Sequence, residues 1–355
     1  MYDKTSRPAP TLRDLASALG VSTSTVSRAL NNGPYVKEAL RGRIQQAARE
    51  AGYRPDPLAR GLKTQRTYRV GLVIPDILND FYAAAAAAIE RELSAAGYRL
   101  QLIISNDDPT LEAAAVDDLR HERADGMIYV PSERRSAAAA RLVTLGVPVV
   151  ELVRRSTEQG VDSVLADERT GAAAATRHLL DLGHRRIAFI CGPSTLSTGR
   201  ERLVGYHQEL AAAGIPEDPA LRRIGAYRRA FGYEALQALL DNTPPPTAVV
   251  AASNELLIGV LRAVYERRLV VPDELSVVGF GDPDWFGVAH PPITTVALPI
   301  AAMAAAAAQQ IIRRLAGRAA SRASAVAAQP VHQQFATTLL VRGSTGAART
   351  KGVTG

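Results

Sequence analysis

The stretch LRDLASALGVSTSTVSRALN, from Leu12 to Asn31, decides the fold of the amino-terminal part of this chain. Apolar residues spaced three and four apart predict one helix that ends at Gly20 and a second that begins after Ser22. Thr11 and Ser22 are suited to cap these helices, because a side-chain oxygen before a helix accepts from an unpaired backbone N–H. Gly20 has no Cβ and therefore tolerates the left-handed conformation that ends many helices. The pattern predicts a helix-turn-helix.

The outward face of the second helix carries short hydroxyl side chains and one arginine. Hydroxyls near a helix start reach base edges and phosphates, and an arginine one turn further on can donate two hydrogen bonds to O6 and N7 of guanine. A glycine corner between two helices also occurs in ordinary domains, so spacing alone leaves DNA binding and a plain structural corner open. The candidate DNA-binding residues of this stretch are Thr11, Ser22, Thr23, Ser24, Thr25, Ser27, Arg28 and Asn31.

The positive charge of the chain is concentrated around this motif. Of 42 basic and 35 acidic residues, 12 basic and 5 acidic ones lie in residues 1–68, and the remaining 30 of each sign balance. Lysine and arginine displace condensed counterions from a duplex, so a local excess of this kind is typical of a module that faces phosphates. A solvated basic face without a partner is the alternative.

Composition excludes several other classes of protein. Cys191 is the only cysteine, which leaves no disulfide framework and no cysteine-based metal site. The polar start of the chain lacks the apolar core of a signal peptide, and no apolar run approaches the length of a membrane span. We therefore expect a soluble, cytoplasmic protein that needs no cofactor and does not bind membranes.

Two further helices are predicted before residue 68. Residues 37–51 form an amphipathic pattern that closes a small three-helix core. Asp56 and Pro57 then suit a helix start, but the helix has only about two turns and contains Gly61. An isolated helix this short is marginal in water, so it folds only when something holds it; viewed alone, the segment is equally a plain linker.

Three motifs, in this order, resemble the DNA-binding headpiece of the lactose-repressor (LacI/GalR) family. They are TLRDLA at 11–16, VSTSTVSRALN at 21–31 and YRPDPLARGL at 53–62. The resemblance implies that Thr23, Ser24 and Arg28 read the major groove of an operator. It also implies that the short helix pairs with its dimer mate in the minor groove, where an apolar wedge trades base unstacking for a bent duplex. The additional DNA-binding candidates in that helix are Ala59, Arg60 and Leu62.

From Tyr68 onward, buried strands alternate with amphipathic helices in two successive series. Such alternation predicts parallel sheets covered by helices, and two series in one chain predict two similar lobes. The family resemblance extends here through DGMI at 125–128, LGHRRIA at 182–188 and PPITTV at 291–296. We expect an α/β, two-lobed, periplasmic-binding-protein-like core (type I) behind an N-terminal all-α helix-turn-helix domain.

The resemblance also predicts how the chain is divided. It implies chain crossings between the lobes near residues 167, 296 and 329, a last helix of the first lobe at 300–316, a low-complexity loop at 317–329 and one closing strand at 335–341. The expected domains are a DNA-binding headpiece at 1–56, a hinge helix and linker at 57–67, an effector-binding and dimerisation domain at 68–343, and a disordered tail at 344–355.

Aromatic, hydroxyl and charged side chains follow the predicted strands at the mouth of the crevice between the lobes. Ligands of such sheets bind beyond the strand carboxyl ends, and aromatic walls with a few fixed polar groups suit a hydroxyl-rich ligand. The candidate effector-binding residues are Phe81, Tyr82, Thr198, Arg200, Arg202, Tyr227, Asn254, Asp282 and Trp285. The family resemblance implies that all of these residues except Arg200, Asp282 and Trp285 contact the ligand. It also makes a sugar or sugar derivative the default effector.

Three function classes are weighed on these features. A ligand-controlled transcriptional repressor fits both regions, and it implies a homodimer because one helix-turn-helix reads only a half-site of a palindromic, double-stranded operator. A solute-binding protein fits the two lobes but not the basic headpiece or the missing signal peptide. An enzyme is disfavoured, because the chain lacks the common nucleophile, nucleotide and metalloprotease motifs and its six histidines do not cluster.

Overall fold

The computed structural model describes residues 10–30, 33–53, 66–320 and 329–349. The chain divides into two compact units between Thr67 and Tyr68. The predicted two-turn helix lies outside the described residues, and so do four DNA-binding candidates: Asn31, Ala59, Arg60 and Leu62.

The described residues of the first unit form three helices: α1 (Leu12–Leu19), α2 (Thr23–Leu30) and α3 (Glu38–Glu50). Thr11 caps α1 in a reciprocal arrangement: its Oγ1 accepts from the Asp14 N–H at 3.2 Å, while its own N–H donates to the Asp14 carboxylate at 2.7 Å. Gly20 ends α1 at φ 64° and ψ 31°, in the left-handed region. The helix start, stop and turn predicted from the sequence are therefore confirmed.

The core of the first unit is small and comes from all three helices. Its buried members are Leu15, Ala16, Val26, Ala29, Ile44 and Ala48, and all of them lie on the inward faces that periodicity predicts. Because this core is small, its three helices depend on one another rather than on helix propensity alone.

The second unit contains two six-stranded sheets, and each sheet with its helices is called a lobe. The first sheet has the order β11-β5-β4-β3-β1-β2 and is parallel throughout. Its strands are β1 (Arg69–Ile74), β2 (Arg99–Ile104), β3 (Gly126–Tyr129), β4 (Val149–Leu152), β5 (Asp162–Ala166) and β11 (His332–Phe335). The helices of this lobe are α4 (Asp80–Ala95), α5 (Pro109–His121), α6 (Ala137–Thr144) and α12 (Ile300–Ala320).

The second sheet has the order β12-β10-β9-β8-β6-β7, and only β12 runs antiparallel to its neighbour. Its strands are β6 (Ile187–Cys191), β7 (Arg222–Ile224), β8 (Ala248–Ala251), β9 (Ser276–Phe280), β10 (Thr294–Ala297) and β12 (Thr338–Leu340). The helices of this lobe are α7 (Glu168–Asp181), α8 (Ser197–Ala212), α9 (Arg229–Leu240), α10 (Asn254–Glu266) and α11 (Trp285–Val288). The two predicted α/β lobes are confirmed.

The chain crosses between the lobes three times, and the third crossing corrects the sequence-based prediction. The first two crossings, after β5 and after β10, lie where they were expected. The third lies between Phe335 and Thr338 rather than near 329, because β11 pairs with β5 of the first sheet while β12 pairs with β10 of the second. The single closing strand predicted at 335–341 is therefore wrong. The alanine-rich α12 also continues to Ala320, into the predicted loop.

The prediction of a disordered tail is wrong for residues 344–349, which pack on the second lobe. Ser344 is fully buried, accepts from the Thr294 N–H at 2.8 Å and donates its hydroxyl hydrogen to the Val277 carbonyl at 2.6 Å. The Ala348 N–H donates to the Leu182 carbonyl at 2.8 Å. Backbone groups and small side chains make these contacts, so no apolar periodicity in the sequence predicts them.

Candidate functional site

The candidate DNA-reading surface lies on α2. Thr23, Ser24 and Arg28 are exposed there, while Thr25 and Ser27 are half-buried. Ser22 is the cap of α2, since its Oγ accepts from the Thr25 N–H at 3.1 Å.

Two of the DNA-binding candidates have a local structural role as well. The Ser22 hydroxyl also contacts the hydroxyls of Ser24 and Thr25, at 2.7 and 2.8 Å. Thr11 is exposed but engaged in the cap of α1. Among these candidates, Arg28 has the longest side chain, and it is exposed.

A cavity in the second unit lies at the carboxyl ends of the strands, between the two lobes. Residues that follow β1, β2 and β4 form its first-lobe side. Residues at or after the ends of β6, β7, β8, β9 and β10 form its second-lobe side. This is the position expected for a ligand in a doubly wound fold. The cavity brings together six of the predicted effector-binding residues: Phe81, Tyr82, Thr198, Arg202, Tyr227 and Asn254.

Three predicted residues lie outside this cavity. Arg200 lines a neighbouring groove and forms an ion pair with Glu201 at 3.3 Å. Asp282 accepts two hydrogen bonds from the Arg342 guanidinium, at 2.7 and 3.0 Å. Trp285 packs edge-on against Phe286 with ring centroids 4.4 Å apart. Asp282 and Trp285 line a separate depression beside the cavity.

Arg202 is buried in the second-lobe wall and is largely used by the protein itself. Its Nε and Nη2 donate to the Glu168 carboxylate at 2.7 and 2.9 Å, and its Nη1 donates to the Ala252 carbonyl at 2.6 Å. The guanidinium also lies 4.7 Å from the centroid of the Phe280 ring. Burial opposes its charge, but the neighbouring groups, with the Glu168 carboxylate first among them, together outweigh burial, so the pKa of Arg202 is raised above its usual value.

Arg154 is a second buried guanidinium in the cavity wall, and it is absent from the residues predicted from the sequence. Its Nη2 donates to Asp107 Oδ2 at 3.2 Å, its Nη1 contacts Asp107 Oδ1, and its Nη1 also donates to the Pro131 carbonyl at 3.2 Å. The guanidinium lies 5.5 Å from the ring centroid of Tyr227, a residue of the other lobe. An arginine after a strand usually reaches solvent; here Val153 has φ 68° and turns the chain so that Arg154 points inward.

Two tyrosines supply neutral hydroxyl groups to the cavity. Burial raises the pKa of Tyr82 to about 12 and also raises the pKa of Tyr227. The Tyr227 hydroxyl donates to Thr198 Oγ1 at 3.2 Å. Gly192 is required next to this ring, because a Cβ at that position would lie 2.0 Å from the tyrosine side chain.

Direct hydrogen bonds join the two lobes beside the cavity. The Asn254 Nδ2 donates to Asn79 Oδ1 at 3.0 Å, and the Arg155 N–H donates to Ser197 Oγ at 2.9 Å. The two halves of the cavity wall are therefore in contact in this structure.

Comparison with known proteins agrees with both parts of this architecture. A model described as bacterial regulatory proteins, lacI family, matches residues 11–56, and a periplasmic binding protein-like domain matches residues 176–345. The transcriptional repressor CytR of Escherichia coli (strain K12) is 33% identical over 299 residues, which cover 84% of this chain and 88% of CytR. The chain belongs to the lacI family of bacterial regulatory proteins. Like other members, it is a transcriptional regulator with a DNA-binding helix-turn-helix domain.

Solved structures of LacI-family proteins are similar over almost the whole chain. A complex of the transcriptional regulator CelR with cellobiose is 31% identical, with a TM-score of 0.71, and covers 94% of this chain and 99% of CelR. The Lac repressor dimer bound to operator and the anti-inducer ONPF is 25% identical, with a TM-score of 0.80, and covers 96% of this chain and all of the other.

Among the described residues, none of the helices has the combined length and hydrophobicity that a membrane span requires.

Proposed function

We propose that this LacI-family regulator is a repressor that binds a palindromic operator as a homodimer and responds to a sugar or sugar derivative in the cavity between its lobes. The carrying observation is the cavity itself, where aromatic rings, tyrosine hydroxyls and an asparagine from both lobes surround one space. Such a lining suits a ligand with flat apolar faces and many hydroxyl groups. The CelR complex with cellobiose and the operator-bound Lac repressor dimer support the proposal by similarity.

For the DNA side, we infer that Thr23, Ser24 and Arg28 read the major groove and that residues 57–67 form the hinge. Both assignments rest on the three headpiece motifs, and the exposure of these three side chains on α2 supports the first. A basic unit that carries such a helix binds duplex DNA with an affinity that falls as salt concentration rises.

Arg28→Ala tests this inference, and Arg49→Ala, on the exposed end of α3, is the matched control. Both variants lose one positive charge, so both lose a similar share of counterion release. Arg28→Ala alone is expected to lose base discrimination, worth about 1–3 kcal/mol for a bidentate contact to guanine. The measurement is competition binding between the operator selected from random duplexes and a scrambled duplex. An unchanged preference in the Arg28 variant would remove this residue from the reading surface.

A further inference from the structure

Both positive charges in the cavity wall are paired with carboxylates. Among the described residues that line the cavity, Arg154 and Arg202 are the two cations. Asp107 binds the first with both carboxylate oxygens, and Glu168 binds the second in the same way. Both arginines of the wall therefore have a carboxylate partner.

The Asp107–Arg154 pair is held by unusual backbone conformations at both of its ends. Asn106 and Asp107 have φ of 53° and 57°, and Val153 has φ 68°. A β-branched residue in this region is strained, and such strain persists only where the surrounding structure enforces it. The Arg154 side chain is 4% exposed and that of Asp107 is 32% exposed, so the carboxylate is the more accessible member of a pair whose cation is buried.

The other polar groups of the wall do not favour an anion. Asp76 contributes a carboxylate, and Tyr82 contributes a hydroxyl group that burial keeps neutral. Asn254 contributes its amide oxygen, because its amide nitrogen already donates to Asn79. A phosphate or carboxylate placed among these groups would lose its hydration and meet negative charge without gaining a free cation. A hydroxyl group can donate to the same oxygen atoms at no such cost.

We propose that Asp107 is a specificity-determining residue: by neutralising Arg154 it makes the cavity select an uncharged polyhydroxylated ligand over the phosphorylated or carboxylated form of the same ligand. This inference rests on the proposed function, because it concerns the charge of the effector that the cavity would bind. It also predicts what happens when the neutralising carboxylate is removed, which can be tested before the effector is identified.

The first arm of the test uses the unaltered full-length protein. Thermal unfolding is followed with neutral aldopentoses, aldohexoses and cellobiose, with the phosphate esters of the same sugars, and with inorganic phosphate. Neutral sugars that raise the midpoint are expected to bind at least about 100-fold more tightly than their phosphate esters. Inorganic phosphate is expected to leave the midpoint unchanged. A phosphate ester that binds more tightly than its parent sugar overturns the inference.

The second arm uses Asp107→Asn, which removes the negative charge that neutralises the Arg154 guanidinium while it keeps the side-chain volume. Inorganic phosphate is expected to raise the unfolding midpoint of this variant, since the buried cation gains an anionic partner. The matched control is Asp117→Asn, which removes a carboxylate from an exposed ion pair with Arg141 of the same lobe and outside the cavity. The control is expected to show no phosphate response. The double variant Asp107→Asn/Arg154→Gln should lose the response again.

The outcomes separate this inference from the proposed function. If no sugar of either kind binds, the sugar effector fails, while the phosphate responses of the Asp107 and Asp117 variants still decide the charge argument. If Asp107→Asn folds but inorganic phosphate does not raise its unfolding midpoint, the proposed role of Asp107 is wrong even where neutral sugars bind. If Asp107→Asn does not fold, the comparison of sugars with their phosphate esters in the unaltered protein decides alone.

Discussion

Removal of the Glu168 carboxylate is expected to destabilise the second unit strongly, because it leaves the guanidinium of Arg202 buried and unpaired. The two side chains are only 4% and 7% exposed, and two hydrogen bonds of 2.7 and 2.9 Å join them. Breaking a buried pair by removing one partner costs roughly 3–5 kcal/mol. For a unit of this size, about 2 °C per kcal/mol gives a fall in unfolding midpoint of ~6–10 °C.

A neighbouring ion pair on the same two helices provides the control. Arg169 and Glu201 are each one residue away in sequence from the buried partners, and their N···O distance is 2.8 Å, but their side chains are 51% and 33% exposed. Solvent screens such a pair, so Glu201→Gln is expected to change the free energy of unfolding by only about 0–1 kcal/mol. The contrast between the two pairs isolates the effect of burial.

Urea unfolding followed by circular dichroism measures both effects. Glu168→Leu and Arg202→Met should each be strongly destabilising, whereas the double variant should lie near the unaltered protein, because a buried pair and an apolar pair of similar volume have similar free energies. A Glu168 variant within 1 kcal/mol of the unaltered protein would refute the reasoning, and so would a double variant whose loss equals the sum of the single losses.

Two further predictions concern the cavity and the packed tail. Gly192→Ala should displace the Tyr227 ring, abolish the midpoint shift caused by any neutral sugar that binds, and cost about 1–3 kcal/mol of stability; a variant with an unchanged sugar response would contradict it. Burial lowers the pKa of His184, whose ring contacts Thr247, Ser276 and the Gly346 carbonyl. As pH falls, the histidine therefore takes up its proton at a higher pH in the unfolded chain than in the folded protein. The free energy of unfolding should accordingly fall as pH drops below about 6.5. His184→Gln should flatten this part of the curve of stability against pH, and an unaltered slope would exclude the histidine as its source.

The sequence was most informative where structure depends on neighbouring residues. The cap at Thr11, the stop at Gly20 and the inward faces of α1 to α3 are all short-range features, and the sequence predicts each of them. Alternation of buried strands and helices likewise predicted both lobes. The short strands β11 and β12 were merged into one, because only pairing with different sheets distinguishes them.

The cavity was only partly predictable, for a physical reason. Tyr82, Thr198 and Tyr227 follow strands or begin helices, so chain order places them near the crevice. Arg154 instead depends on left-handed backbone at Val153, a β-branched residue that rarely adopts it, so the residue types there do not signal the inward turn. Asp107 is a residue type that tolerates left-handed backbone, but its partner Arg154 lies 47 residues away in the chain. Arg202 was predicted as a ligand contact, but three of its five N–H donors are bonded within the second lobe.

The division of the cavity between two lobes limits how an effector can act. Arg154 and Asp107 belong to the first lobe and Tyr227 to the second, so a ligand that contacts all three makes its full set of contacts only while the lobes are together. The Asn79–Asn254 hydrogen bond favours that arrangement as well. A ligand can shift the balance between joined and separated lobes only by the difference between its affinities for the two. Regulation by this cavity therefore requires a ligand that binds the joined and the separated lobes unequally, and a ligand with equal affinity for both would bind without effect.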